Sequence, residues 1–185
     1  MIKAVPIPLE NGLTGWVHAG PTREMPPGYE LVRCAIEIPV AGKTVAYDIA
    51  IPDFSTFQTQ HLDEVLPELL DDLAEGRKLY IGCMGGTGRT GTLLALLVAQ
   101  HPAFTGEMAV AYIRQVYKPG AVETEDQKLQ VEGYLAPIRV PVFSHDWLDD
   151  EPPTEERDPI PFPKGSDKPR PAPWFLRMLF GSKSG

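Results

Sequence analysis

Cys83, Arg89 and Thr90 stand at a spacing that chemistry can use. The stretch Cys83-Met84-Gly85-Gly86-Thr87-Gly88-Arg89-Thr90 opens with a thiol, fills with glycines and closes with a guanidinium and a hydroxyl. Glycines let backbone N–H groups turn inward and let a tetrahedral anion approach closely. Arginine offers a planar fork that grips two phosphate oxygens. A cysteine under the same positive field ionises readily; such sites bring a thiol from ~8.5 into the ~3.5–7.5 range. The sulfur would then be a thiolate aimed at a bound phosphorus. Charge building on the equatorial oxygens would meet the backbone donors and Arg89. Thr90 would donate a hydrogen bond to the sulfur and make it a better leaving group in a second half-reaction.

Such a loop has to be held between a strand and a helix. Residues 78–82 (KLYIG) form a short apolar run suited to a buried strand. Residues 91–99 (GTLLALLVA) form an apolar run long enough for a buried helix, so the loop meets free N–H groups at a helix start. Residues 30–38 and 43–51 have β-type composition, and 39–42 (PVAG) reads as a turn, which predicts a hairpin. Residues 52–60 read as a loop. In 61–76, Leu62, Val65, Leu66, Leu69, Leu70 and Leu73 recur at helical spacing and Gly76 is a stop; Pro67 predicts a kink or a late start. Residues 106–117 predict another helix, and 122–138 a further one whose start, Glu123-Thr124-Glu125-Asp126, is largely acidic. The first thirty residues are rich in Gly and Pro and give no clear assignment. The expected fold is α/β: a central, mostly parallel sheet flanked by helices, with the site at the carboxyl end of the strand at 78–82.

Composition limits what this domain does. The net charge is −8 over 185 residues, which argues against broad binding to nucleic acid or anionic lipid. Two cysteines, Cys34 and Cys83, make no disulfide framework, so a reducing, cytoplasmic setting is expected. With prolines and no long apolar core at the N-terminus, no signal peptide is expected, and no segment reaches the ~18 apolar residues of a membrane span. His18, His61, His101 and His145 show no metal spacing, so no metal site and no organic cofactor are expected. Eight prolines fall between 151 and 173, the mark of an extended arm. The division expected is a catalytic domain over 1–148 and, over 149–185, a Pro-rich arm ending in a short aromatic and basic segment. Residues 174–180 within that segment (WFLRMLF) could dock on a partner or on their own domain.

The spacing Cys83, five residues, Arg89, then Thr90 resembles the signature of the cysteine-dependent protein tyrosine phosphatase superfamily, and CMGGTGRTG is most similar to its dual-specificity branch. Two further stretches fit in order. Residues 51–54 (IPDF) resemble the family's general-acid loop, with Asp53 thirty positions before Cys83. Residues 122–127 (VETEDQ) resemble the segment that places the hydrolytic water, with Gln127 at a family glutamine and Glu123 where another usually stands. The resemblance implies phosphomonoester hydrolysis through a phosphocysteine intermediate, on a phosphorylated protein or a small phosphomonoester. Cys83 would attack, Arg89 clamp, and Asp53 protonate the leaving oxygen and then activate water. Met84, Gly85, Gly86, Thr87, Gly88 and Arg89 would cradle the phosphate. The family usually has a histidine before the cysteine; this chain has Gly82.

Other readings compete. Cys83 as a small buried hydrophobe leaves Arg89 and Thr90 unexplained. A nucleotide-binding loop aligned on Gly88-Arg89-Thr90 needs glycine at 83 and lysine at 89, and finds neither. A sulfurtransferase loop has a different length. Asp53 could be only a turn residue after Pro52; Asp48, in a predicted strand, and Asp63, at a predicted helix start, are weaker candidates for the general acid. Gln127 and Glu123 could be only first-turn helix residues. Cys34 would pack in the strand pair. A domain that captures phosphorylated partners without turnover is the alternative that Gly82 and Glu123 keep open. The interior of the loop carries no lysine or arginine, which favours singly phosphorylated side chains, tyrosine first, over phosphoinositides.

Overall fold

The computed structural model describes residues 2–10 and 12–134. The strands are β1 (Lys3–Pro8), β2 (Thr14–Pro21), β3 (Glu30–Ala35), β4 (Val45–Ile51) and β5 (Leu79–Cys83). The helices are α1 (Thr59–Ala74), α2 (Gly88–Ala99), α3 (Gly106–Val116) and α4 (Glu125–Gly133), with one 3₁₀ turn at Thr22–Glu24. The five strands form one sheet in the order β1-β2-β5-β3-β4. Among the described strands only the β1–β2 pair is antiparallel; β5 runs parallel to both its neighbours, as the α/β expectation requires.

Three expectations need correction. Residues 30–38 and 43–51 are not a hairpin: β3 and β4 pair in parallel, Leu31 opposite Val45 and Ala35 opposite Ile51. Strand composition reports burial and propensity, and it carries no direction. The intervening stretch bends more than once, with Lys43 N–H bonding the Val40 carbonyl and Gly42 at φ +75°, and so returns the chain to the side it started from. Pro67 does not delay its helix. α1 begins at Thr59, before the expected start, and continues past Pro67, because Leu62, Leu66, Leu69 and Leu73 bury one face of it. The unassigned N-terminus holds β1 and β2. Pro6 and Pro8 lie on β1, the sheet edge, where a missing N–H costs least. Val5 and Val17 face each other in that pair and are fully buried.

β5 is buried along its whole length, and so is α2 from Gly88 to Val98. That burial explains why both read as unbroken apolar runs. α2 packs on α3 and α4. The last expected helix ends at Gly133; residues 135–138, the Pro-rich arm, the 174–180 segment and His145 lie outside the described residues. Among the described residues no helix is long and apolar enough to cross a membrane.

Candidate active site

Cys83 is the last residue of the central strand, and its side chain is buried. The chain then curls so that the Gly86 N–H donates to Cys83 Sγ at 3.2 Å. Gly86 has φ +61°, and a Cβ on it would lie 2.3 Å from the Gly20 carbonyl carbon. Conformation and space both exclude a side chain there. From outside the loop, the Tyr117 hydroxyl and Lys118 Nζ both donate to the Gly86 carbonyl. Lys118 Nζ also reaches the Gly85 carbonyl at 3.2 Å. Burial pushes the Tyr117 phenol far above its usual range, so it remains a donor. These bonds engage the Gly85 and Gly86 carbonyls while the Gly86 N–H stays on the sulfur. The loop ends at Thr87, the N-cap of α2, whose side chain makes no cap bond to the helix.

Arg89, in the first turn of α2, is 2% exposed. Its Nη1 donates to Glu37 Oε2 at 2.7 Å and to the Ile51 carbonyl at 2.8 Å. Its Nη2 pairs with Asp53 Oδ1 at 2.8 Å. The guanidinium, through its hydrogen bond, holds Glu37 below the usual glutamate range. Asp53 lies just past β4 with its side chain 54% exposed, and the following Phe54 N–H donates to it at 3.1 Å. Phe54 itself sits at φ 59°, a left-handed conformation unusual for a bulky residue and frequent in functional loops. The other aspartates point elsewhere: Asp48 pairs with Arg33 at 2.9 Å, and Asp63 accepts from the Tyr134 hydroxyl at 2.7 Å.

Two buried polar atoms at the start of α2, Arg89 Nε and Thr90 Oγ1, have no hydrogen-bond partner among the described residues. Buried donors left unmade are costly, and an anion seated in the loop would supply acceptors beside them.

Gln127 is fully buried, and both ends of its amide are engaged. Oε1 accepts from the Glu123 N–H at 3.0 Å, its own N–H bonds Thr124 Oγ1 in a capping box, and Nε2 donates to the Ser55 carbonyl at 3.2 Å. Gln127 therefore ties α4 to the loop that carries Asp53. Glu123 is exposed, with its carboxylate over Gly88: a Cβ added to that glycine would meet Glu123 Oε2.

Gly82 has an explanation in space. A Cβ there would lie 2.4 Å from Thr22 Oγ1. Cys34 occupies the position on β3 after Arg33, which is in register with Gly82, so the two cysteines sit side by side on adjacent strands; both are free. Burial pushes the Cys34 thiol well up. Among the described residues no group of three His, Cys, Asp or Glu is placed to hold a metal.

The sequence reading missed Glu37, Thr22, Tyr117 and Lys118. Glu37 had a weak signal, a charge just after an apolar strand, where sheets of this class place ligands. The others reach the loop from distant positions and left no local pattern.

Comparison with known proteins bears on the family and the fold. A model of the Swiss Army Knife DSP-PTPase phosphatase domain matches residues 37–131, about half of the chain. Uncharacterized protein MJECL20 of Methanocaldococcus jannaschii is 32% identical over 87 residues, which cover 47% of this chain and 57% of that protein. The chain thus spans little more than half the length of that curated relative. Among solved structures, kinase associated phosphatase with its catalytic-site cysteine replaced by serine is similar at a TM-score of 0.54 and 17% identity, over 70% of this chain and 92% of that one. A Leishmania major protein assigned to the protein tyrosine phosphatases is similar at 0.52 and 20%, over 72% of this chain and 98% of that one. At these identities the likeness is one of fold.

Proposed function

This chain belongs to the DSP-PTPase phosphatase domain family, and on that premise we propose that it hydrolyses phosphomonoesters through a phosphocysteine intermediate on Cys83. The observation that carries the reading is the loop itself: an N–H on the sulfur, a Gly86 carbonyl held by Tyr117 and Lys118, and a buried arginine whose Nε has no partner among the described residues.

In this reading the phosphate enters with its oxygens toward the loop N–H groups and Arg89. The Cys83 thiolate attacks phosphorus, the bond to the leaving oxygen breaks, and Asp53 gives that oxygen a proton. Asp53, now a carboxylate, takes a proton from water as that water attacks phosphorus. The S–P bond breaks, Thr90 donates to the departing thiolate, and inorganic phosphate leaves. Ester and water have become alcohol and phosphate. Asp53 starts as a carboxylate on Arg89, so an incoming dianion takes the guanidinium from it and frees it to take a proton from solvent, the proton it then gives to the leaving oxygen. Gln127, which the resemblance has placing the water, serves in addition to hold the Asp53 loop through Ser55. The expected substrate is a phosphorylated protein, phosphotyrosine before phosphoinositides, and no metal or organic cofactor enters the steps.

One observation favours a second reading, capture without turnover: the Glu123 carboxylate over Gly88 adds negative charge near an anionic ligand. A nitrophenyl phosphate assay in metal chelator separates the two. Turnover, with phosphate recovered on the Cys83 peptide after acid quench, supports the enzyme. Phosphate binding without turnover supports capture.

A further inference from the structure

Thr22 stands one residue beyond β2, in the 3₁₀ turn, and is buried. Its hydroxyl lies 3.3 Å from the Cys83 carbonyl. A carbonyl can only accept, so Thr22 donates. The register opposes Pro21 to Cys83, and proline has no N–H to offer the strand beside it. The threonine side chain supplies a donor in its place. Gly82 is the complement of this arrangement, because any side chain at 82 would occupy the position of Thr22 Oγ1. The same corner is braced again: the Tyr80 hydroxyl donates to the Pro21 carbonyl at 2.9 Å, and Gly86 packs on Gly20 and Pro21.

We infer that Thr22 is a positioning residue for the nucleophile: its hydroxyl fixes the Cys83 carbonyl, and with it the first peptide of the loop, so that the Gly86 N–H meets the sulfur. Without that donor the Cys83 carbonyl is free to rotate, and the curl from Cys83 to Gly86 loses its fixed origin. The inference rests on the phosphatase reading for its effect on turnover, and is independent of that reading for its effect at the sulfur.

The test uses the full chain and two readouts. Alkylation of Cys83 by iodoacetamide is followed against pH by mass spectrometry, and turnover of a nitrophenyl phosphate is measured beside it. Thr22→Val keeps shape and removes the donor. Its alkylation profile should move to higher pH by about half a unit to one unit, the size of one hydrogen bond's influence on the thiolate. kcat should fall about three- to ten-fold for a displacement of that size. Thr22→Ser should restore both. The other groups around the sulfur, Cys34 on β3, Tyr80 on β5, Tyr117 after α3 and Arg89 on α2, are unchanged in every variant. An alkylation profile in Thr22→Val that overlays wild type overturns the inference, whatever the turnover. If Thr22→Val does not fold by circular dichroism, Thr22→Ala against Thr22→Ser decides instead: a displaced profile for Ala and a wild-type one for Ser supports it, and coincident profiles overturn it. A protein that alkylates as expected but never turns over phosphate would refute the phosphatase reading and leave this inference standing.

Discussion

Arg89 Nη2 and Asp53 Oδ1 are 2.8 Å apart, so the arginine proposed to clamp the substrate is held by the residue proposed to protonate it. A phosphate dianion and the Asp53 carboxylate compete for one guanidinium. Removing the carboxylate charge should therefore help binding while it harms catalysis.

Asp53→Asn should lower the inhibition constant for inorganic phosphate several-fold. It should also cut kcat on phosphotyrosine peptides by ~10²–10⁴, the usual weight of a general acid. The loss should be much smaller on a nitrophenyl ester, whose leaving group needs the proton less. Asp48→Asn and Asp63→Asn should show neither effect. Equal losses on both esters in all three variants would place the acid elsewhere.

Cys83→Ser should reduce turnover to background and keep phosphate affinity within about three-fold by calorimetry, because serine is not ionised near neutral pH while the loop donors remain. Turnover near wild type in that variant would end the phosphocysteine mechanism.

The Glu37–Arg89 contact predicts a pH dependence of stability. Arg89 holds the folded-state Glu37 below the ordinary glutamate value of 4.5. A depressed carboxylate contributes stability that is complete above the unfolded value and is lost as pH falls through the lower folded one. Melting temperature should thus be higher for wild type than for Glu37→Gln at pH 6. The gap should narrow as pH drops below about 4.5. Glu37 is partly exposed, so the gap should also shrink in high salt. A gap that widens on acidification would contradict the pairing.

Tyr117 and Lys118 share one acceptor, the Gly86 carbonyl. Each alone should be partly replaceable by the other. Tyr117→Phe and Lys118→Met should each cost about 0.5–1 kcal/mol in urea unfolding. The double variant, which strips both donors from the carbonyl, should cost more than the sum. Strict additivity would mean that the two bonds do not act on the same oxygen in solution.

Some of this was legible in sequence because the chemistry is local. Cys83 to Thr90 is one unbroken stretch whose strand and helix follow directly, so spacing alone defines it. Asp53 was singled out by its place in the order the family resemblance implies, and its contact with Arg89 is seen only in the fold. Gln127 was visible as a residue, but the bonds its amide makes to the backbone of Glu123 and Ser55 are ones no periodicity reports. β1 and β2 were hidden by their prolines, which are tolerable because β1 is an edge. The direction of β4 was hidden because propensity scores a strand and not its neighbour. Thr22 carried no signal because its partner is 61 positions away.

That separation sets an order of assembly. The bonds from Thr22 to Cys83 and from Tyr80 to Pro21 span 61 and 59 positions, and between them lie β3, β4 and α1. Contacts of such long range form only at the cost of the entropy of the intervening chain. β2 must dock along β5 before the corner at Gly20, Pro21 and Thr22 exists at all. Until that docking happens the Cys83 carbonyl has no Thr22 donor, and the curl from Cys83 to Gly86 lacks the brace that the folded corner gives it.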